Sequence, residues 1–173
     1  MKLLKYISIL LAGVLIMGCT QQADTPDNKA TQSKAETAPD SYLKVYEIEG
    51  SYEDVREDLE SAITGKGIVI SGISHISEML QRTGKDLGLG GPIFSHAEAI
   101  NFCSATISRN MMKTDPTNIV FCPYIIAIYS LPNDDNKVYI AYRRPPVLPT
   151  KESTEALAAV ENLLKSIIED VAM

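Results

Sequence analysis

The chain lacks a hydrophobic run long enough to cross a bilayer. Its most apolar stretch, Ile7 to Met17, covers 11 residues, and a spanning helix needs about 20. It also lacks a basic excess: 16 Lys and Arg stand against 22 Asp and Glu, a formal charge of -6. Phosphate-backbone binding needs a cationic footprint, so nucleic acid is excluded as a partner. Electrostatic attachment to a membrane is disfavoured for the same reason. Only three cysteines are present, and none forms Cys-x-x-Cys or Cys-x-x-Cys-His. Covalent c-type haem and the common thiol-oxidoreductase arrangement are thereby disfavoured. No Gly-x-Ser-x-Gly elbow supports a serine hydrolase.

What the N-terminus does contain is informative. Lys2 and Lys5 precede the short apolar run, which ends in Leu15-Ile16-Met17-Gly18-Cys19. A charged start, a short apolar core and a small residue before the cut define a secretory signal. A Cys directly after that Gly is the pattern of a bacterial lipoprotein, cut between Gly18 and Cys19 and acylated at Cys19. Several acyl chains anchor stably where one does not. Thr20 follows in place of an Asp, which points to the periplasmic face of the outer membrane. Loss of Lys2 and Lys5 with the signal removes two positive charges and takes the mature chain to about -8.

From Thr20 to Asp40 there is no aromatic residue and no Leu, Ile or Val. Such a segment cannot offset its ordering entropy, so residues 19–40 read as the lipidated Cys and a disordered tether. Residues 41–173 then form one domain, long enough for a core without staples.

The domain alternates strand and helix signals. Leu43 to Ile48 reads as a strand. Ser51 with Asp54 resembles a capping box, and Val55, Leu59, Ala62 and Ile63 recur at helical spacing. Gly65 and Gly67 stop that helix. Ile68-Val69-Ile70 is a second, buried strand. Ser74 is placed as the cap of a helix carrying Ile76, Met79 and Leu80. The Gly84 to Pro92 segment has four glycines, but neither a preceding strand nor a following Lys-Ser/Thr, so it reads as a plain loop.

Ala99 to Phe102 is a third strand, and Ser104 caps a helix closed by Asp115-Pro116. Ile119 to Cys122 is strand-like. Tyr124 to Tyr129 is apolar on both faces, as in a central strand, and Val138 to Tyr142 returns as a hairpin partner. Leu157, Val160, Leu164, Ile167 and Val171 mark a one-sided last helix, with Glu161 and Lys165 as an i,i+4 pair. The fold class is therefore α+β, a two-layer domain with a mainly antiparallel sheet and packed helices.

With Cys19 committed to lipid, Cys103 and Cys122 are an even pair in an oxidising compartment. A structural disulfide closing about 20 residues stabilises by roughly 3 kcal/mol on the chain-entropy model. Two buried free thiols are the second reading. Thiol redox chemistry, or a soft-metal or haem site joined by Met111, Met112, His75 or His96, is the third. No two of these residues have metal-ligand spacing, so neither a metal nor a cofactor is assigned. His75 lies among Ser71, Ser74 and Ser77 with Asp86 downstream, a weak hydrolase pattern. His75 and His96 otherwise read as surface or capping residues. Asp134-Asp135 fits turn chemistry. Tyr124, Tyr129, Tyr139 and Tyr142 gather on the hairpin with Arg143 and Arg144. Tyr124, Tyr142 and Arg143 are the candidate ligand surface, for an aromatic or anionic molecule. Cross-strand packing is the plainer account.

Four segments together resemble a known family. They are Ile100-Asn101-Phe102-Cys103-Ser104-Ala105, the Met111-Met112 and Asp115-Pro116 region, Ile119-Val120-Phe121-Cys122-Pro123-Tyr124, and Val138-Tyr139-Ile140-Ala141-Tyr142-Arg143-Arg144-Pro145. This pattern resembles domain of unknown function 302 over roughly Tyr42 to Pro146. The resemblance implies a compact α+β fold similar to TATA-binding-protein-like domains, and homodimers as one possible assembly. It carries no catalytic residues, and fold likeness does not import DNA binding. The sequence thus reads as a membrane-anchored envelope lipoprotein, a non-enzymatic binding or accessory module. The alternative is a thiol-redox or soft-metal protein using Cys103 and Cys122.

Overall fold

In a computed structural model that describes residues 42–134 and 136–173, hydroxyl side chains start three of the four helices. The elements run β1 (Leu43–Glu49), α1 (Tyr52–Gly65), β2 (Ile70–His75), α2 (Ile76–Leu87), β3 (His96–Phe102), α3 (Ala105–Thr114), β4 (Tyr124–Ser130), β5 (Lys137–Arg143) and α4 (Lys151–Val171). Residues 1–41, which contain the signal, Cys19 and the tether, lie outside the described residues, as does Asp135.

Ser51 accepts from the Asp54 amide, Ser104 from the Ile107 amide and Thr150 from the Ser153 amide. Each bond satisfies an amide that the first helical turn leaves without a partner. Gly67, at φ 70, and Gly88, at φ 66, take the left-handed turns that end α1 and α2.

The sheet order is β1-β5-β4-β3-β2, antiparallel throughout. Side chains alternate across it. Tyr124, Ile126 and Ile128 of β4, Val138, Ile140 and Tyr142 of β5, and Ile100 and Phe102 of β3 are buried beneath helices. Their core partners include Val55, Leu59 and Ile63 of α1, Met111 of α3, and Leu157, Val160, Leu164 and Ile167 of α4. Full burial of such a side chain is worth about 1.5–3 kcal/mol. The opposite face carries Ile125, Ala127, Tyr129, Tyr139 and Ala141, all half-buried. The α+β class, the element order and the central position of β4 agree with the sequence reading.

Four local expectations change. The second strand is not the buried triplet Ile68-Val69-Ile70. It runs from Ile70 to His75 at the sheet edge, and Val69 is 80% exposed. An edge strand has a neighbour on one side only, and a register shift between Ile70 and Gly72 bends it further. Ser74 does not cap α2. It stays in the strand opposite Ala99, and His75 occupies the cap position without a side-chain capping bond.

Ile119 to Cys122 is not strand-like. Pro116–Phe121 forms a 3-10 turn, started by Asp115 accepting from the Thr117 amide. Buried Asn118 fastens this turn, donating to the Met111 carbonyl at 3.0 Å and bonding Ser153 Oγ at 3.2 Å. Finally, Glu161 pairs with Arg144 at 2.8 Å, while Lys165 pairs with Glu169. The Arg144 guanidinium, in the segment just after β5, takes the place of the local i,i+4 lysine.

Candidate functional site

β3 ends at Phe102 and β4 starts at Tyr124, and these two residues are register partners. Cys103 follows the first and Cys122 precedes the second by two, so antiparallel pairing brings both to one end of the sheet. They are joined as a disulfide with Cα atoms 6.5 Å apart, 19 residues apart in sequence. The Cys122–Pro123 peptide is cis. Ser108 on α3 reaches the same corner, 2.8 Å from the Tyr124 hydroxyl and 3.8 Å from Cys122 Sγ. Burial pushes the Tyr124 pKa up, and the Ser108 bond offsets part of that shift.

A cleft of about 160 Å³ opens beside this corner. Tyr42, Phe121, Pro123, Arg143 and Leu164 of α4 are among the residues that line it. The Arg144 amide donates to the Tyr42 carbonyl at 2.9 Å, and the Arg144 side chain binds Glu161. Arg143 is exposed and makes no ion pair among the described residues. The cleft is of mixed character, with buried Val160 and Leu164 beside exposed Tyr42 and Arg143.

The tyrosines do not form one surface. Tyr124 and Tyr142 are each 3% exposed, on the helix-covered face. Tyr142 stacks on Tyr46 at 6.4 Å, and its pKa is raised, mainly by burial. Tyr129 and Tyr139 stack on each other at 5.1 Å on the opposite face, where Phe94 meets Tyr129 edge-on. Strand alternation separates even from odd positions, so residues near one another in sequence part company. Tyr124 and Arg143 both border the cleft; Tyr142 does not line it.

A second polar group escapes a reading by motif. His96 and Glu98 lie two apart on β3 and hence on one face; His75 is the register partner of Glu98. Glu98 Oε1 lies 2.7 Å from His75 Nδ1, and Glu98 Oε2 accepts from Arg56, which also binds Glu60 at 2.9 Å. Burial drives the Glu98 pKa upward. The hydrogen bond and charge of Arg56, with His75, outweigh that push and leave it below its ordinary value.

Tyr52 stacks on His96 at 4.6 Å, and its hydroxyl is buried beside Glu98 without a formed hydrogen bond. Burial first, then the Glu98 charge, raises the Tyr52 pKa. The i,i+2 spacing of His96 and Glu98 was visible; their partners on β2 and α1 were not. None of Ser71, Ser74 and Ser77 hydrogen-bonds His75 among the described residues, and Ser71 instead donates to the Asn101 carbonyl. No three His, Cys, Asp or Glu residues converge as a metal site among the described residues. Met111 is buried in the core.

The fold and this corner define a class: a two-layer α+β domain with a disulfide beside a small cleft. The chain belongs to the family described as domain of unknown function DUF302, whose profile matches residues 44–171. A similar solved structure is that of an uncharacterized conserved DUF302 protein from Bacillus stearothermophilus. It is 16% identical, with a TM-score of 0.62, and the alignment covers 75% of this chain and 98% of that one. At this identity the likeness concerns the fold. No curated protein matches the chain.

Proposed function

We propose that the protein is a lipid-anchored envelope protein whose DUF302 domain is a non-enzymatic binding module. The observation that carries the binding role is the cleft of about 160 Å³ lined by Phe121, Pro123, Leu164 and Arg143. Ligand sites combine apolar side chains with orienting polar groups, and this small cleft presents both kinds. The anchoring rests on Gly18-Cys19 and the preceding apolar run. In this reading residues 1–18 are removed, Cys19 carries the acyl chains, and residues 20–40 hold the domain at the periplasmic face of the outer membrane.

Membrane fractionation with a labelled fatty acid tests the anchor. The chain should sediment with membranes and carry label, and Cys19→Ser should abolish both. Wild-type protein that stays soluble and unlabelled would remove the lipoprotein reading. Titration of the unlipidated chain with periplasmic small-molecule extract, followed by NMR, tests the binding role. Resonances around the recess should shift saturably.

The second reading is a thiol-redox or soft-metal protein. In its favour, the fold brings Cys103 and Cys122 within bonding distance. Metal analysis and a visible spectrum of the reduced protein would decide it; a metal-free, colourless protein with an inert disulfide would end it.

A further inference from the structure

We propose that one end of the sheet is a membrane-contact surface, whose exposed apolar side chains enter the bilayer that holds the lipid of Cys19. This rests on the anchoring proposed above and specifies how the domain meets the membrane. Register supplies the first argument. Leu43 pairs with Arg143, Phe102 with Tyr124 and Ile70 with Phe102. Hence β1, β2 and β4 start, and β3 and β5 finish, at one end of the sheet.

Six large apolar side chains gather at that end. Tyr42 and Leu43 open β1, and Val69 precedes β2. Ile119 and Val120 lie in the 3-10 turn just ahead of Cys122, and Val147 follows β5. Val120 lines one cleft with Tyr42, Pro145 and Pro146, which sets the turn and the segment after β5 beside the start of β1. The six are between 48% and 85% exposed, and none belongs to the core cluster. They make up six of the eleven exposed large apolar residues among those described. Single apolar residues on a surface need no explanation, but a group drawn from four segments to one end marks a contact surface.

The path of the chain supplies the second argument and names the occupant. Tyr42 is the first described residue, so the sequence from Cys19 enters the domain at this end. On the tether reading, the residues between them span roughly 25 Å. A linkage of that length raises the effective concentration of lipid at this end to about the millimolar range, so weak insertion is sufficient.

Charge supplies the third argument. Lys44, Lys66, Arg143 and Arg144 lie at this end, where Asp170 pairs with Lys66 and Glu161 with Arg144. Glu49, Glu53, Asp54 and Asp134 lie at the opposite end, where β1 finishes, α1 starts and β4 turns into β5. The acidic chain as a whole is not drawn to anionic lipid, but this distribution turns its acidic end away from the surface.

The test uses the chain from residue 19 onward, carrying Cys19→Ser, with vesicles of phosphatidylethanolamine and phosphatidylglycerol. The readouts are flotation and hydrogen exchange. The chain is expected to float at millimolar lipid. Exchange should slow at residues 42–43, 119–121 and 147–148 and stay unchanged at 131–136. Val120→Ser combined with Val147→Ser, both at exposed positions, should weaken flotation by about tenfold without changing the melting temperature. No flotation at millimolar lipid, undiminished flotation of the double variant, or slowing at 131–136 would overturn the proposal. A lipid-free dimer that protects the same residues and ignores vesicles would assign this end to a second copy and overturn it too. The chain tested carries no acyl group, so the result is separate from the anchor. If flotation fails while wild-type Cys19 takes up fatty acid, the contact surface falls and the anchor stands. If the chain floats while Cys19 takes up none, the anchor falls and the contact surface stands.

Discussion

Replacing both Cys103 and Cys122 with Ala removes a covalent tie without a bulky change, so its cost follows from chain statistics. The bridge spans 19 residues of sequence. A closed loop of that length stabilises by roughly 3 kcal/mol through the reduced freedom of the unfolded chain. Unfolding entropy is about 2.1 cal/mol/K per residue, so a unit of roughly 130 residues gains about 0.27 kcal/mol/K. The quotient is a fall in Tm of about 11 °C. Both cysteines are half-buried, so lost packing adds to the fall and does not offset it. Scanning calorimetry of the oxidised protein, the reduced protein and the double variant measures it. The reduced protein and the variant should melt close together and well below the oxidised one. Reduced and oxidised protein melting within about 3 °C of each other would refute the entropy argument. An unreduced protein that gains no mass on reduction would refute the bond itself.

Three other substitutions test the packing and charge arguments. The folded Glu98 pKa lies below its ordinary 4.5, so the unfolded chain takes up this proton at the higher pH. Its contribution to stability is therefore complete above about pH 4.5 and is lost as pH falls through the folded value. Glu98→Gln should flatten the pH dependence of Tm in that acid range; an unchanged profile would contradict the network. Ser104→Ala should cost about 1 kcal/mol in denaturant melts, through the lost cap of α3. Ile140→Ala, at a position with no exposure in the middle of β5, should cost about 2–5 kcal/mol by the same measurement, and a smaller loss would mean the core collapses around the gap.

The helices of this domain were legible where local chemistry decides. Ser51 and Ser104 mark their helices because a hydroxyl satisfies a neighbouring amide within the same turn. The apolar spacing of α4 was equally plain, since one helix face meets one core. Local signals misled where the decisive partner was distant. Val69 looks like core, yet an edge strand has open space beside it. Ile119 and Val120 look like strand, yet Asp115, Pro116 and the remote Ser153 hold the segment as a 3-10 turn with both side chains exposed. Glu161 has Lys165 one turn away, yet binds Arg144 from another part of the chain.

The sequence by itself determined the order of strands and helices, the acidic balance and the residues available for a bridge. These depend on propensity, capping and periodicity, all of which act over a few residues. Only the tertiary structure decided that Cys103 and Cys122 meet, that Tyr124 and Tyr142 are buried while Arg143 is not, and that His75 faces Glu98. Each of these depends on strand register. A shift of one residue turns every side chain to the opposite face, and no short-range signal encodes it.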